Sequence, residues 1–82
     1  MSKVKKVYEK LMSRQSDPNF TLDDLCYLLA KLGFALRHAQ GSHIIAQRGP
    51  AYVNVQNKGG KAKAYQVEQV RNELKKHNIK PE

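Results

Sequence analysis

His43 sits in the stretch Gln40-Gly41-Ser42-His43-Ile44-Ile45, just past a glycine turn and at the start of an apolar segment, with Arg37 before it and Arg48 after it. A neutral imidazole is the ordinary side chain best matched to proton abstraction near neutral pH, and a neighbouring guanidinium disfavours its charged form. The chemistry that suits one histidine in a basic setting is cleavage of RNA by its own 2′-hydroxyl. The imidazole removes the hydroxyl proton, the alkoxide attacks the adjacent phosphorus in line, and basic side chains stabilise the charge on the equatorial oxygens. His43 is thus a candidate general base, and from the residues alone it is equally a candidate phosphate contact or a structural histidine. Lys58, Lys61, Lys63 and Arg48 can hold phosphate. An ordinary lysine titrates near about 10.4 and is a poor proton donor at neutral pH, so no general acid stands out. Tyr52 can stack on a base if exposed.

Other chemistries find less support. His38, His43 and His77 lack local metal-ligand spacing, and Asp23-Asp24 is better explained by helix capping than by a magnesium pair, so neither metal nor cofactor is expected. Gly59-Gly60-Lys61 lacks the spacing and the Ser or Thr of a phosphate-binding P-loop, and reads as a flexible basic contact for a nucleic-acid backbone. Cys26 is the single cysteine, which excludes an internal disulfide, and its apolar neighbours point to an inert core thiol. His77 falls near a helix C-terminus, where its cation is favourable.

These residues must be held by a small fold. The chain has 82 residues and a net charge of +8, with seven basic and four acidic groups in the first forty residues and eight and three in the rest. Such an excess implies an anionic partner, most simply nucleic acid, and less simply an acidic protein or a membrane surface. No run approaches the 18 or more apolar residues of a membrane span and no secretory segment follows Met1, so no membrane partner and a cytoplasmic location are expected.

Val4, Val7, Tyr8, Leu11 and Met12 recur at helical spacing and predict an amphipathic helix over 3–14, or a partly ordered arm, ended by the polar segment Gln15 to Asn19. Thr21 with Asp24 forms a capping box, and Phe20 with Leu25 a hydrophobic staple, for a second helix over 22–32 that Gly33 stops. From Phe34 the period changes to two. Segments around Phe34–Leu36, Ile44–Ala46 and Tyr52–Gln56 predict a three-stranded antiparallel meander, with Phe34, Leu36, Ile44, Ala46, Val53 and Val55 on the core face. Arg37, His43, Gln47, Tyr52 and Asn54 then look outwards. A three-residue loop, Ala39-Gln40-Gly41, would place Arg37 directly opposite His43. Residues 57–64 read as an irregular basic loop. The last helix is expected over 65–77, burying Tyr65, Val67, Val70 and Leu74, with Asn78 as its stop. The expected fold is α+β, in the order α-α-β-β-β-α, with helices on one face of the sheet.

Gly33-Phe34, Gly41-Ser42-His43, Val53-Asn54-Val55 and the closing basic loop plus helix ending at Asn78-Ile79 resemble the HicA family of small toxins, over about residues 21–79. The resemblance implies a double-stranded-RNA-binding-domain-like architecture, with 21–82 as the toxin domain and 1–20 as an added N-terminal helix or arm. It implies an endoribonuclease that cleaves mRNA without a metal, with His43 as its catalytic histidine and a HicB-like antitoxin as the protein that neutralises it. RNA contacts are then expected from Arg37, Ser42, Arg48, Tyr52, Lys58, Lys61 and Lys63. The competing readings are a non-catalytic RNA-binding module and a basic interaction protein for an acidic partner.

Overall fold

The computed structural model describes residues 2–14 and 17–81; Gln15 and Ser16, the first part of the expected polar break, lie outside them. Within the described residues three helices, α1 (Lys3–Ser13), α2 (Leu22–Lys31) and α3 (Ala64–Lys76), accompany four strands, β1 (Ala35–His38), β2 (His43–Arg48), β3 (Ala51–Lys58) and β4 (Lys61–Ala62). A 3-10 turn, Asp17–Asn19, lies between α1 and α2. The strands form one antiparallel sheet in the order β1-β2-β3-β4.

The helix ends follow from local chemistry. Thr21 Oγ1 accepts from the Asp24 backbone N–H at 3.2 Å, and Phe20 and Leu25 are fully buried. At the end of α2, Gly33 takes φ +90°, its N–H donates to Ala30 O, and Phe34 N–H donates to Leu29 O. α3 ends in the same way, with Asn78 at φ 53° donating to Lys75 O and Ile79 donating to Leu74 O at 2.9 Å. Both ends are the paired six-to-one and five-to-two bonds of a left-handed helix stop, with an apolar contact closing each. The first fixes where β1 begins, because Phe34 must turn into the core to close the stop.

Val7 and Leu11 of α1, Leu22, Leu25, Leu28 and Leu29 of α2, and Val67, Val70 and Leu74 of α3 form one core with Ala46, Val53 and Val55 of the sheet. Full burial of a leucine, valine or phenylalanine side chain contributes about 1.5–3 kcal/mol, so this cluster is the main source of stability. α1 is joined to it by more than apolar contact. Arg71, 2% exposed, donates from Nη1 to Leu11 O at 3.0 Å, and Lys10 meets Asp24 at 4.0 Å.

Three details depart from the sequence expectation. The sheet has four strands, not three, because the basic segment after Asn57 is a hairpin. Gly59 and Gly60 take φ of 61° and 86°, the positive values that a two-residue hairpin turn requires at both central positions. The glycines that argued against a strand are what allow this one. Its far side is tied to the start of α2: Ala62 N–H donates to Phe20 O and Leu22 N–H to Gly60 O. Second, Arg37 pairs with Ile45 and His38 with Ile44, a two-residue shift from the expected register. The turn takes in Ala39 to Ser42, with Ala39 N–H donating to His43 O at 2.9 Å and Gly41 at φ +75°. A shift of two preserves the faces, so His43 looks outwards as expected, but Arg37 is not its direct partner. Third, two residues expected in the core are exposed: Tyr65, 55% exposed, since α3 buries Gln66, Val67, Val70, Arg71 and Leu74 instead, and Leu36, 37% exposed on the edge strand β1.

Gln66 has a specific task. β2 pairs with one edge of β3, and most of the other edge would be left with unpaired N–H groups. Gln66 Oε1 accepts from Gln56 N–H at 2.7 Å, and Glu73 Oε2 accepts from Tyr52 N–H at 2.9 Å. Seven residues apart, the two side chains lie on one stripe of α3 and seal that edge.

Candidate functional site

Directly opposed residues share a face, so Ala35 and Arg37 of β1, His43, Ile45 and Gln47 of β2, and Tyr52, Asn54 and Gln56 of β3 all lie on the face away from the core. All are exposed or half-buried. His43 stands at one end of this face, opposite Gln56 and diagonal to Asn54. The diagonal is bridged: His43 Nδ1 and Asn54 Oδ1 are 2.9 Å apart. The other edge of the ring lies towards Gly41, where a Cβ would come 3.5 Å from His43 Cδ2. The imidazole is therefore bounded on its Nδ1 edge by an amide and on its Cδ2 edge by the turn that precedes it. Its Nε2 is the nitrogen without a place in that bridge.

The same end of the sheet carries three lysines, Lys58, Lys61 and Lys63. Asn57 N–H donates to Ser42 O at 2.9 Å, which joins the β1–β2 turn to the root of the β3–β4 hairpin. Asn57 Oδ1 accepts from Gly60 N–H at 2.8 Å and holds that hairpin closed. Beyond it, Lys58, Lys61, Lys63 and Tyr65 line an open groove with Pro18, Ala62 and Ala64. Lys61 reaches Asn19 Oδ1 at 3.2 Å. The groove ends at the first turn of α3, whose N-cap, Lys63, makes no side-chain capping bond, so the positive end of the helix dipole adds to the lysines. Ser42 is exposed at the turn, beside His43 in sequence.

The other expected contacts are placed elsewhere. Arg48 ends β2 at the end opposite His43, and its Nη1 donates to Leu32 O at 2.9 Å, closing the C-terminus of α2. Tyr52 is 47% exposed on the outer face but stands opposite Gln47, towards the Arg48 end. Arg37, opposite Ile45, is diagonal to His43, about 7–8 Å away by sheet geometry. His77 meets Glu73 Oε2 at 3.3 Å, and His38 lies on β1 beside a shallow depression with Leu22, Asp23, Cys26 and Ile44. Burial, and after it the Asp23 carboxylate, pushes the Cys26 thiol up from its ordinary value, which keeps it protonated at neutral pH. Among the described residues no three His, Cys, Asp or Glu side chains gather as a metal site, and no helix is long and apolar enough to cross a membrane.

Asn54 is the residue of the site that sequence reasoning places on the correct face without giving it a role. A signal is there. The two-residue turn Gly49-Pro50 sets Arg48 opposite Ala51, and counting back along the ladder puts Asn54 on the diagonal from His43. Gln66 and Glu73 carry no comparable signal, since a helix covering a strand edge is settled only by packing.

Fold and site together define a small α+β protein that presents one anchored histidine on an open sheet face, next to a lysine-lined hairpin and an uncapped helix start. No family model, curated protein or solved structure matches the chain.

Proposed function

We propose that the chain is a metal-independent endoribonuclease of the HicA-like toxin type, with a double-stranded-RNA-binding-domain-like arrangement of sheet and helices. The observation that carries this reading is His43 itself: a half-buried imidazole, held at Nδ1, on the uncovered face of the sheet at the end where Lys58, Lys61, Lys63 and the start of α3 converge. An RNA strand lying along the groove would place its phosphates on the lysines and the helix start. His43 Nε2 takes the proton from a 2′-hydroxyl, and the oxygen attacks the adjacent phosphorus. The bond to the 5′-oxygen breaks, and that oxygen takes up a proton from water. The products are a 2′,3′-cyclic phosphate and a 5′-hydroxyl end. DNA is spared because it lacks the internal nucleophile.

The net charge of +8 and the exposed lysines also fit a HicB-like antitoxin whose acidic surface would cover His43 in the cell. Ser42 and Arg37 border the histidine and are assigned to contacts with the RNA backbone. Tyr52 belongs to the proposed RNA surface only if the strand runs the length of the outer face, whereas Arg48, opposite buried Ala51 and bonded to Leu32 O, is not on that face.

The test is purified protein incubated with a structured mRNA in EDTA, comparing wild type with His43→Ala and mapping the ends chemically. Cyclic-phosphate ends with wild type and intact RNA with the variant support the reading. Binding without scission by the wild type would replace it with a non-catalytic RNA-binding module.

A further inference from the structure

We infer that Asn54 is a positioning residue that selects the tautomer of His43, holding the proton on Nδ1 and leaving the lone pair of Nε2 for the substrate; this rests on the reading of His43 as a general base. A neutral imidazole has one donor and one acceptor nitrogen, and which is which follows from the partner it meets. The partner here is the carbonyl oxygen of an amide, which only accepts. At 2.9 Å, Asn54 Oδ1 is within ordinary hydrogen-bond distance of Nδ1, and with the amide oxygen rather than its NH2 turned to the ring, the hydrogen of the pair lies on Nδ1. Free imidazole side chains favour the opposite tautomer, in which Nε2 carries the hydrogen and cannot take another in the neutral state. The amide reverses that preference.

Several features make the contact a fixed one. Asn54 and His43 lie on adjacent strands joined by a two-residue turn, so their diagonal is set by a ladder that runs unbroken from Arg48–Ala51 to His43–Gln56. Ile45, directly opposite Asn54 on the same face, is half-buried and flanks the bridge on the strand that carries His43. Gly41 bounds the far edge of the ring. An amide suits this task better than a carboxylate would, because it orients the ring without adding negative charge to a surface meant for phosphate.

The test has two independent arms on the intact protein. Long-range 15N NMR of the RNA-free protein, at a pH where His43 is neutral, reads the tautomer directly, with the signal assigned by its loss in His43→Ala. The wild type is expected to show a protonated Nδ1 and a bare Nε2, and Asn54→Ala to shift the population to protonated Nε2. Asn54→Asp, which keeps an acceptor at the same place, should retain the wild-type tautomer. In single-turnover RNA cleavage, Asn54→Ala should lose about 10- to 100-fold in rate at saturating protein, the scale of a misplaced catalytic group, with RNA affinity within about twofold. Asn54→Asp should recover most of that rate while binding RNA more weakly. Thermal unfolding of the variants checks that the fold is kept. A wild-type His43 protonated at Nε2, with Asn54 donating its NH2 to Nδ1 instead, would overturn the inference even if His43 proves essential. An unchanged cleavage rate in Asn54→Ala would overturn it as well. If wild-type protein cleaves nothing, the proposed function fails, and the NMR arm still decides whether Asn54 sets the tautomer.

Discussion

The two ends of β2 carry the same kinds of side chain in opposite conditions. At the Arg48 end, the guanidinium is spent on Leu32 O, and His77 nearby is paired with a carboxylate, Glu73, which also accepts from Tyr52 N–H. At the His43 end, the histidine meets a neutral amide and the lysines line an open groove. One end ties its cationic groups into the frame, Arg48 at the end of α2 and His77 on the carboxylate that closes a strand edge. The other leaves them facing outwards. Residue type alone therefore does not mark a site in so basic a chain; the partner of each group does. A histidine beside a carboxylate at a helix end is part of the frame, and a histidine beside an amide on an open face is available to a ligand.

The contrast can be broken most decisively at His43. His43→Ala should lower RNA cleavage by about 10²- to 10⁴-fold, the usual contribution of a general base, while the variant still unfolds in one cooperative thermal transition. Equal cleavage by wild type and variant would erase the distinction between the two ends. Next in size is the groove. Replacing Lys58, Lys61 and Lys63 together by alanine should weaken RNA binding and reduce the slope of log affinity against log salt by about 0.7 for each phosphate no longer neutralised, as measured by titrations across a salt series. A slope that does not move would take the groove out of the RNA surface.

The frame end should respond in stability instead. Arg48→Ala removes the bond to Leu32 O and should cost about 0.5–1.5 kcal/mol in denaturant unfolding, with the salt slope of RNA binding unchanged. A drop in affinity with intact stability would move Arg48 to the working surface. The smallest expected effect is that of His77→Ala, within about 0.5 kcal/mol, because the Glu73 pair is a partly exposed side-chain contact at a helix end. Cleavage should be untouched.

Much of this frame is legible in the chain itself. The N-cap at Thr21, the stop at Gly33, the change of period at Phe34 and the stop at Asn78 are local devices, decided by neighbours three or four residues away, and the structure has each of them. Of the expected capping box it shows the bond from Asp24 N–H to Thr21 Oγ1, while the Asp24 carboxylate meets Lys10. The outward direction of His43 is legible too, since it depends on parity, and parity survives a two-residue slip of register. The slip itself is not, because loops of different length can join the same two strands without moving any side chain to the other face. The β3–β4 hairpin escapes the sequence because a Gly-Gly pair supports both a loose connector and a tight turn. The choice is made by Phe20 and Leu22, some forty residues away, which bond to the far side of the hairpin. The apolar pattern puts Tyr65 in the core, yet the buried stripe of α3 includes Gln66 and Arg71, whose polar ends find Gln56 N–H and Leu11 O. Hydrophobic periodicity cannot anticipate a polar side chain buried for its hydrogen bond.

Local spacing and composition are enough to set the α+β class, the order of the main helices and strands, the excess of positive charge, and the outward direction of His43. The surroundings of that histidine come from packing alone: the amide at its Nδ1, the hairpin of lysines at its side, and the distance of Arg37 and Arg48 from it. Those are pairings between segments far apart in the chain, and they are settled when the strands find their register and the helices close over one face of the sheet.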